Sequence, residues 1–364
     1  MENKRQFVLL GGAGTIGRIV ARDLFESHPN NHILLADYNQ EKIRTLAESF
    51  KDSRVQAKFV DARQPKNLAN LLNGQSVVIN CLQHTFNLAV MEAALAAGVH
   101  YVDLGGLFSW TRKQLKLDKK FRDKELTAVI GIGCSPGITN LLASYVARQL
   151  RKVNSIKIRV GSVDFRKPEN KLAFSYSPQT IFEELTLKPW IFRNGRFCQI
   201  TPRTGWELTD FAKPVGKVWT VRTRHSEIAT LPLSLKDTGL KHCDFKVGFD
   251  REFVKEVIKR LRSGWTIQEF NKLLMLANNP DDYEITRVVV DNVTIDCHSK
   301  AKPKWQASAG DIDTACPISI AAQMIATGAI HRVGVSPPEV AVPAVPFFVE
   351  LEKRGMKIKV AASN

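Results

Sequence analysis

The sequence predicts an α/β fold in two domains: a doubly wound parallel sheet, then a second α/β domain whose sheet is mixed and largely antiparallel. Three observations predict it. Short β-branched runs alternate with longer stretches of helical spacing through the first 150 residues, the rhythm of strand–helix–strand units. Past Lys152 that rhythm gives way to aromatic and β-branched stretches separated by loops rich in proline and glycine. A glycine string joins the first strand to the first helix. With 364 residues and about 150 per domain, two or three domains are expected, with ample chain to bury a core.

In order, the expected strands of the first domain are Gln6–Leu10, Ile33–Asp37, Gln56–Val60, Ser76–Asn80, Tyr101–Asp103 and Thr127–Ile132. Between them, Ile16–Glu26, Glu41–Phe50, Lys66–Leu72 and Asn87–Ala97 carry apolar residues at helical spacing, and Gly98 closes the last as a C-terminal cap. In the second domain the extended stretches are Ser155–Val163, Lys171–Ser177, Val215–Thr223, His242–Val247 and Ile285–Cys297. Helices are expected at Glu252–Arg262, Thr266–Ala277 and Ile312–Ala326, the last followed by Gly328. A proline-rich stretch, Pro337–Pro346, leads to a basic tail.

Gly12-Ala13-Gly14-Thr15-Ile16-Gly17 follows an apolar strand and opens a helix, and Asp37 ends the next strand. This is the Rossmann dinucleotide fingerprint in its full context. Gly12 permits the tight turn, Gly14 lets the backbone approach a pyrophosphate, and Gly17 allows helix to pack on strand. The open N–H groups around Thr15 and Ile16 face the anion. Asp37 accepts hydrogen bonds from ribose hydroxyls and repels a 2′-phosphate, so NAD is favoured over NADP. Asp61, after the third strand, is placed to reach the adenine, although an aspartate there also serves as a helix cap. Asn80, Cys81, Leu82 and Leu104, at the carboxyl ends of strands four and five, flank the crevice where a nicotinamide lies.

Composition narrows the partners. Hydrophobic residues make up 44% and charged residues 24%, and no segment supplies the roughly 18 consecutive apolar residues of a membrane helix. The N-terminus runs from a basic start into a short strand without a signal-peptide pattern, so the expectation is a cytoplasmic protein with no membrane partner. Six cysteines without a CxxC pair argue for reduced thiols, and the adjacent pairs His242-Cys243 and Cys297-His298 point to opposite strand faces, so no metal is expected. The net charge of +16 favours anionic partners, but no basic run is interleaved with stacking aromatics, which disfavours nucleic acid.

Four motifs occur in one order: the fingerprint, Val77–Leu82, Ala94–Gly106 and Gly133–Asn140. Together they resemble the saccharopine dehydrogenase family, which includes saccharopine reductases, carboxynorspermidine reductases and lysine 6-dehydrogenases. Tyr176-Ser177-Pro178, Ile228–Pro232 and Pro317–Gly328 look like the lysine 6-dehydrogenase branch. The resemblance implies a Rossmann domain over residues 1–131 completed by residues 312–364, and a substrate-binding and dimerisation domain over residues 132–311. It also implies a homodimer, a catalytic cleft between the domains, and chemistry at the carbon–nitrogen bond of an amino acid. One departure is the bulky Gln83-His84-Thr85-Phe86 after the fourth strand, where relatives often carry a small loop.

Oxidising an amine requires a neutral nitrogen, so a base is needed. Asp103, ending strand five, is the first candidate, with a loop-binding role for its carboxylate as the alternative. His225 and Glu227, two apart, are expected on one strand face, where the carboxylate would orient the imidazole. Arg222 and Arg224, again two apart, are the expected cations for a substrate carboxylate, and Tyr176 is a candidate to orient the amine. Ser135 is expected to cap a helix that Pro136 starts, with Cys134 just outside it. The expected activity is NAD-dependent amino-acid oxidation like that of lysine 6-dehydrogenase. The alternatives are a saccharopine-type or carboxynorspermidine-type reductase and a non-catalytic dinucleotide-sensing protein.

Overall fold

The computed structural model describes residues 4–166, 177–272 and 280–362. It divides into two compact units, one formed by Met1–Leu141 and Asp313–Arg354 and the other by Leu142–Ile312 and Gly355–Asn364.

The first unit is the doubly wound sheet. Strands β1 (Arg5–Leu10), β2 (Asn31–Asp37), β3 (Val55–Phe59), β4 (Val77–Asn80), β5 (His100–Asp103) and β6 (Thr127–Val129) are linked by helices. These are α1 (Thr15–Ser27), α2 (Gln40–Ser49), α3 (Pro65–Leu72), α4 (Asn87–Ala97), α5 (Phe108–Gln114) and α6 (Asp118–Asp123). The continuous apolar runs Phe7–Leu10 and Val77–Ile79 are fully buried, as strands covered on both faces must be. Gly98 ends α4 in the left-handed conformation, as the sequence predicts. β6 is shorter than the expected Thr127–Ile132. Its end bends into the Gly131–Gly137 loop, where Gly133 N–H donates to the Pro136 carbonyl at 2.7 Å. The loop leads into α7 (Ile138–Ala147).

The second unit holds β7 (Ser155–Asp164), α8 (Pro178–Thr186), β8 (Trp190–Arg193), β9 (Arg196–Gln199), β10 (Glu207–Asp210), β11 (Lys217–Arg222), α9 (Glu227–Ser234) and β12 (His242–Gly248). Helices α10 (Arg251–Arg262) and α11 (Ile267–Asn271) precede the hairpin β13 (Asp282–Val290) and β14 (Val293–Lys300). The single stretch expected at Ile285–Cys297 is therefore a hairpin; Asp291 turns it with φ of +53°. The expected strand Lys171–Ser177 lies outside the described residues except for Ser177, which stands just before α8. Of the expected helix Thr266–Ala277, the described part is α11, opened by a capping box of Thr266 and Glu269.

The chain re-enters the first unit along α12 (Ala309–Ala326) and adds β15 (Gly334–Ser336), α13 (Pro338–Ala341) and α14 (Ala344–Lys353). The parallel sheet then runs β15-β6-β5-β4-β1-β2-β3. Arg354 seals this return, donating from Nε to both carboxylate oxygens of the buried Asp23 on α1, at 2.8 and 3.0 Å. The returning segment stops there. The last strand, β16 (Lys357–Ala362), pairs antiparallel with β14, so residues after Arg354 belong to the second unit, whereas the expectation is that the whole of residues 312–364 completes the first. That sheet runs β10-β11-β12-β7-β13-β14-β16, with β8 and β9 branching from β12. Only the β12–β7 pairing among them is parallel, which makes the sheet mixed and largely antiparallel. Among the described residues no helix is long and apolar enough to cross a membrane.

Candidate functional site

The glycine loop has the geometry of an anion cradle. Gly11 and Gly12 N–H both donate to the Ala36 carbonyl, at 2.9 and 3.3 Å, so the turn is tied to the end of β2. α1 begins after Gly14 with no side-chain cap and no acidic residue in its first turn. Its N-terminal N–H groups, around the exposed Thr15 and the half-buried Ile16, are left to an external acceptor. Gly17 is a close-approach position: a Cβ there would lie 2.1 Å from the Gly11 carbonyl oxygen. Gly12 packs against Ile43 and Leu35. The residues fit a dinucleotide, because bare helical N–H groups and a backbone with no room for side chains are what a pyrophosphate requires.

Asp37 closes this cradle. Its Oδ2 accepts from Ala13 N–H at 3.0 Å and its Oδ1 from Asn39 N–H at 2.9 Å, leaving lone pairs on both oxygens for hydroxyl donors. Asp61 accepts from the Arg63 guanidinium through both oxygens at 2.8 Å and from Arg63 N–H at 3.0 Å. Those bonds hold its carboxyl below the usual range. Arg63 in turn lies 5.0 Å from the ring centre of the exposed Tyr38, which leans on Phe59. Sequence reading missed Arg63 and Tyr38 as site residues. The signal was there in an exposed aromatic directly after Asp37 and an arginine two residues after Asp61.

At the ends of β4 and β5 a buried polar network fixes the next loops. Asn80 donates to Asn87 Oδ1 at 2.9 Å and to Tyr101 Oη at 3.2 Å, and its own Oδ1 accepts from Leu82 N–H. Asn87 donates to the Gly105 carbonyl. Cys81, Leu82 and Leu104 are half-buried, and Gly11 passes against the Cys81 carbonyl.

Asp103 corrects an expectation. It is fully buried, with Oδ1 accepting from Gly105 N–H at 2.8 Å and Gly131 N–H at 2.7 Å, and Oδ2 accepting from Tyr101 and Gln114. Burial pushes its pKa up, and the four donors pull it back. With no accessible surface it ties the loops Leu104–Gly106 and Ile130–Gly133 together rather than taking a proton from a substrate. Gly105 stands there because a Cβ would meet Pro136 at 2.8 Å. The helix expected at Pro136 starts instead at Ile138, and Asn140 Oδ1, not Ser135, accepts from Gly137 N–H.

In the second unit the stretch expected at Val215–Thr223 forms β11, which ends at Arg222, so the strand faces expected to carry Arg222 with Arg224 and His225 with Glu227 do not form. Ser226 stands at the N-cap of α9 and Glu227 opens its first turn, a helix start that outcompetes the two-residue alternation. Arg222 and Arg224 therefore do not share a face: Arg222 Nε donates to Asp244 at 3.0 Å, and Arg224 Nε donates to the Lys188 carbonyl. Tyr176 lies outside the described residues. His225 and Glu227 do meet, Nδ1 to Oε2 at 3.4 Å, but across a helix start. His225 Nε2 also meets Glu184 of α8 at 2.9 Å, and its ring stacks on Phe245 at 3.8 Å. Burial works against its charge, yet Glu227 and Glu184 overcome that and push its pKa up to about 10. Both ring nitrogens are thus engaged by carboxylates, which favours the charged imidazole and leaves neither nitrogen open to act as the expected base.

Two family models match the chain, one described as the saccharopine dehydrogenase NADP binding domain over residues 7–129 and one as the saccharopine dehydrogenase C-terminal domain over residues 133–356. The carboxyaminopropylagmatine dehydrogenase of Synechocystis sp. is 27% identical over 209 residues, 54% of this chain and 51% of that protein. The carboxynorspermidine synthase of Vibrio cholerae is 25% identical over 273 residues, 68% and 64% respectively. The chain thus spans between about half and two thirds of the length of these curated relatives. Among solved structures, the apo saccharopine dehydrogenase (L-Glu forming) of Saccharomyces cerevisiae superposes with a TM-score of 0.73 at 16% identity, covering 98% of this chain and 100% of that one. At that identity the likeness is one of fold.

Proposed function

From the premise that the chain belongs to the saccharopine dehydrogenase family, we propose that it is a nicotinamide-dependent oxidoreductase that makes or breaks a carbon–nitrogen bond in an amino-acid-like substrate. The observation that carries this reading is the bare N-terminus of α1, framed by the glycine loop and by the Asp37 carboxylate. When bound, the cofactor supplies or accepts a hydride. The chain's own residues hold the pyrophosphate at Gly12–Gly17, the ribose at Asp37 and the adenine beside Tyr38, Asp61 and Arg63.

The names of the Synechocystis and Vibrio relatives support a carboxynorspermidine-type secondary amine as the product. Oxidation of lysine at its ε-carbon is the second reading, supported by the Ile228–Pro232 motif.

The cofactor is NAD if Asp37 governs recognition, whereas Arg63 over Tyr38 and the name of the matching family model support NADP. Titration with NADH and NADPH separates them: Asp37→Ala raises NADPH affinity relative to NADH if the carboxylate excludes a 2′-phosphate, and Arg63→Gln weakens NADPH more than NADH if the guanidinium receives that phosphate. The activity is tested by following the nicotinamide absorbance with diamines plus an amino-acid semialdehyde in one direction and lysine in the other. No turnover in either direction with either cofactor would reject the enzyme reading in favour of a dinucleotide sensor. We further propose a homodimer formed through the exposed edges of the second sheet; a stable 40.8 kDa monomer in sedimentation would reject it.

A further inference from the structure

One face of the second sheet carries a line of charge that the proposed reaction does not use. Arg222, Lys246, Arg159 and Arg287 are successive register partners across β11, β12, β7 and β13. Neighbours in register share a face, and like charges set directly opposite destabilise a sheet. Four in succession therefore need compensation. Arg287 receives it from Asp296, through two bonds of 2.8 and 2.7 Å. The other three share two carboxylates. Arg159 bridges Asp244 at 2.9 Å and Glu207 at 3.0 Å, Lys246 bonds Glu207, and Arg222 bonds Asp244.

These five groups form one wall of an open cavity of about 610 Å³, bounded on its other side by β8 and by Ile200 and Thr204. Arg159 and Lys246 are more than nine-tenths buried, so the charges are built into the wall and do not swing in solvent. Lys157 and Arg193 also line the cavity and make no ion pair among the described residues. Arg222 offers only Nε to Asp244; among the described residues its two terminal nitrogens take no protein partner. Five cations thus converge on a space of metabolite size against two carboxylates that are already shared.

We propose that this cavity is a binding site for a small multivalent anion, a dicarboxylate or a phosphate, received by the terminal nitrogens of Arg222 with Lys157 and Arg193 at its rim. Arg159 and Lys246 hold the positive wall in place and fix the orientation of Asp244 and Glu207. A guanidinium presents paired donors to carboxylate and phosphate alike, so the shared chemistry is two or more negative oxygens spaced across the cavity. The site lies wholly within the second unit and does not rest on the assignment of the reaction.

Calorimetric titration of the purified chain with glutarate and with inorganic phosphate, against acetate at matched ionic strength, tests it. Saturable binding of at least one multivalent anion, absent with acetate, is the expected result, and the stronger of the two identifies the source. Arg222→Gln and, separately, the rim variant Arg193→Gln weaken it about tenfold or more, while NADH and NADPH titrations stay unchanged. Two variants are used because Arg222 also steadies Asp244; Arg193 has no such duty, so its effect stands even where Arg222→Gln lowers the melting temperature. Undiminished anion binding in both variants would place the anion elsewhere, on the glycine loop for example, and overturn the proposal. Equal responses to acetate and glutarate reduce the effect to charge screening and overturn it too.

Discussion

Replacing Gly17 with alanine separates a cofactor-binding glycine loop from a merely tight turn. The new Cβ would fall 2.1 Å from the Gly11 oxygen, 2.8 Å from Gly12 Cα and 2.9 Å from the Gly11 carbonyl carbon. All three are backbone atoms of the cradle itself, so no side chain can swing away. Relief to an ordinary contact requires a displacement of roughly 1 Å, and misplacement of that size can cost on the order of 100-fold where geometry matters. The loop cannot yield freely, because Gly11 and Gly12 N–H are both bonded to Ala36. Overpacking of this kind also lowers stability by about 1–3 kcal/mol. The expected outcome is a folded variant, shown by its far-ultraviolet circular dichroism, whose affinity for NADH and NADPH falls by about two orders of magnitude. Gly98→Ala is the control: no atom lies within 4 Å of its Cβ position and φ is +72°, so it should cost about 1 kcal/mol of stability and nothing in cofactor affinity. A folded Gly17→Ala variant binding both cofactors within about threefold of the parent would refute the assignment of this loop.

Other outcomes follow from buried charge. His225, raised from 6.5 to about 10, contributes stability that is whole below pH 6.5 and is lost as pH rises through about 10; His225→Gln should flatten that alkaline decline in urea melts. The same variant leaves Glu184 and Glu227 without their cation and should cost about 3–5 kcal/mol, part of which returns in His225→Gln with Glu184→Gln. Asp103→Asn keeps one acceptor oxygen but turns an amide toward Gln114, so a loss of about 1–3 kcal/mol is expected by denaturant melt, with the pH dependence of any activity unmoved. Arg354→Met strands Asp23 on α1 and should destabilise the first unit by about 3–5 kcal/mol; a melting temperature unchanged from the parent would contradict the role given to that pair.

The parallel sheet was legible because its signals are local and repeated. The inner strands β1 and β4 are apolar runs of a few residues, and several helices carry their own start, such as Pro65 at the first turn of α3 or the Asn39 cap of α2. Where the reading failed, a local pattern lost to a tertiary constraint. Thr127–Ile132 reads as one strand, but Gly131 must turn so that its N–H meets Asp103. Residues after Arg354 read as a tail of the first domain, because nothing within Lys357–Ala362 tells that its ladder partner is β14.

The candidate site divides along the same line. The glycine loop and Asp37 could be read from spacing, since they are joined by one strand, one turn and one helix. The surroundings of His225 could not, because Glu184 lies 41 residues away in sequence and a two-residue alternation looks alike in a strand and at a helix start. What distinguishes them is Ser226-Glu227 ahead of an apolar run, a cap followed by an acidic first-turn residue. That change of element alters the chemistry as well as the shape. On an exposed strand edge His225 would keep an ordinary imidazole pKa and could take a proton. At the mouth of α9, stacked on Phe245 and enclosed by two carboxylates, it holds one. The charge state that this imidazole favours thus follows from where the helix begins.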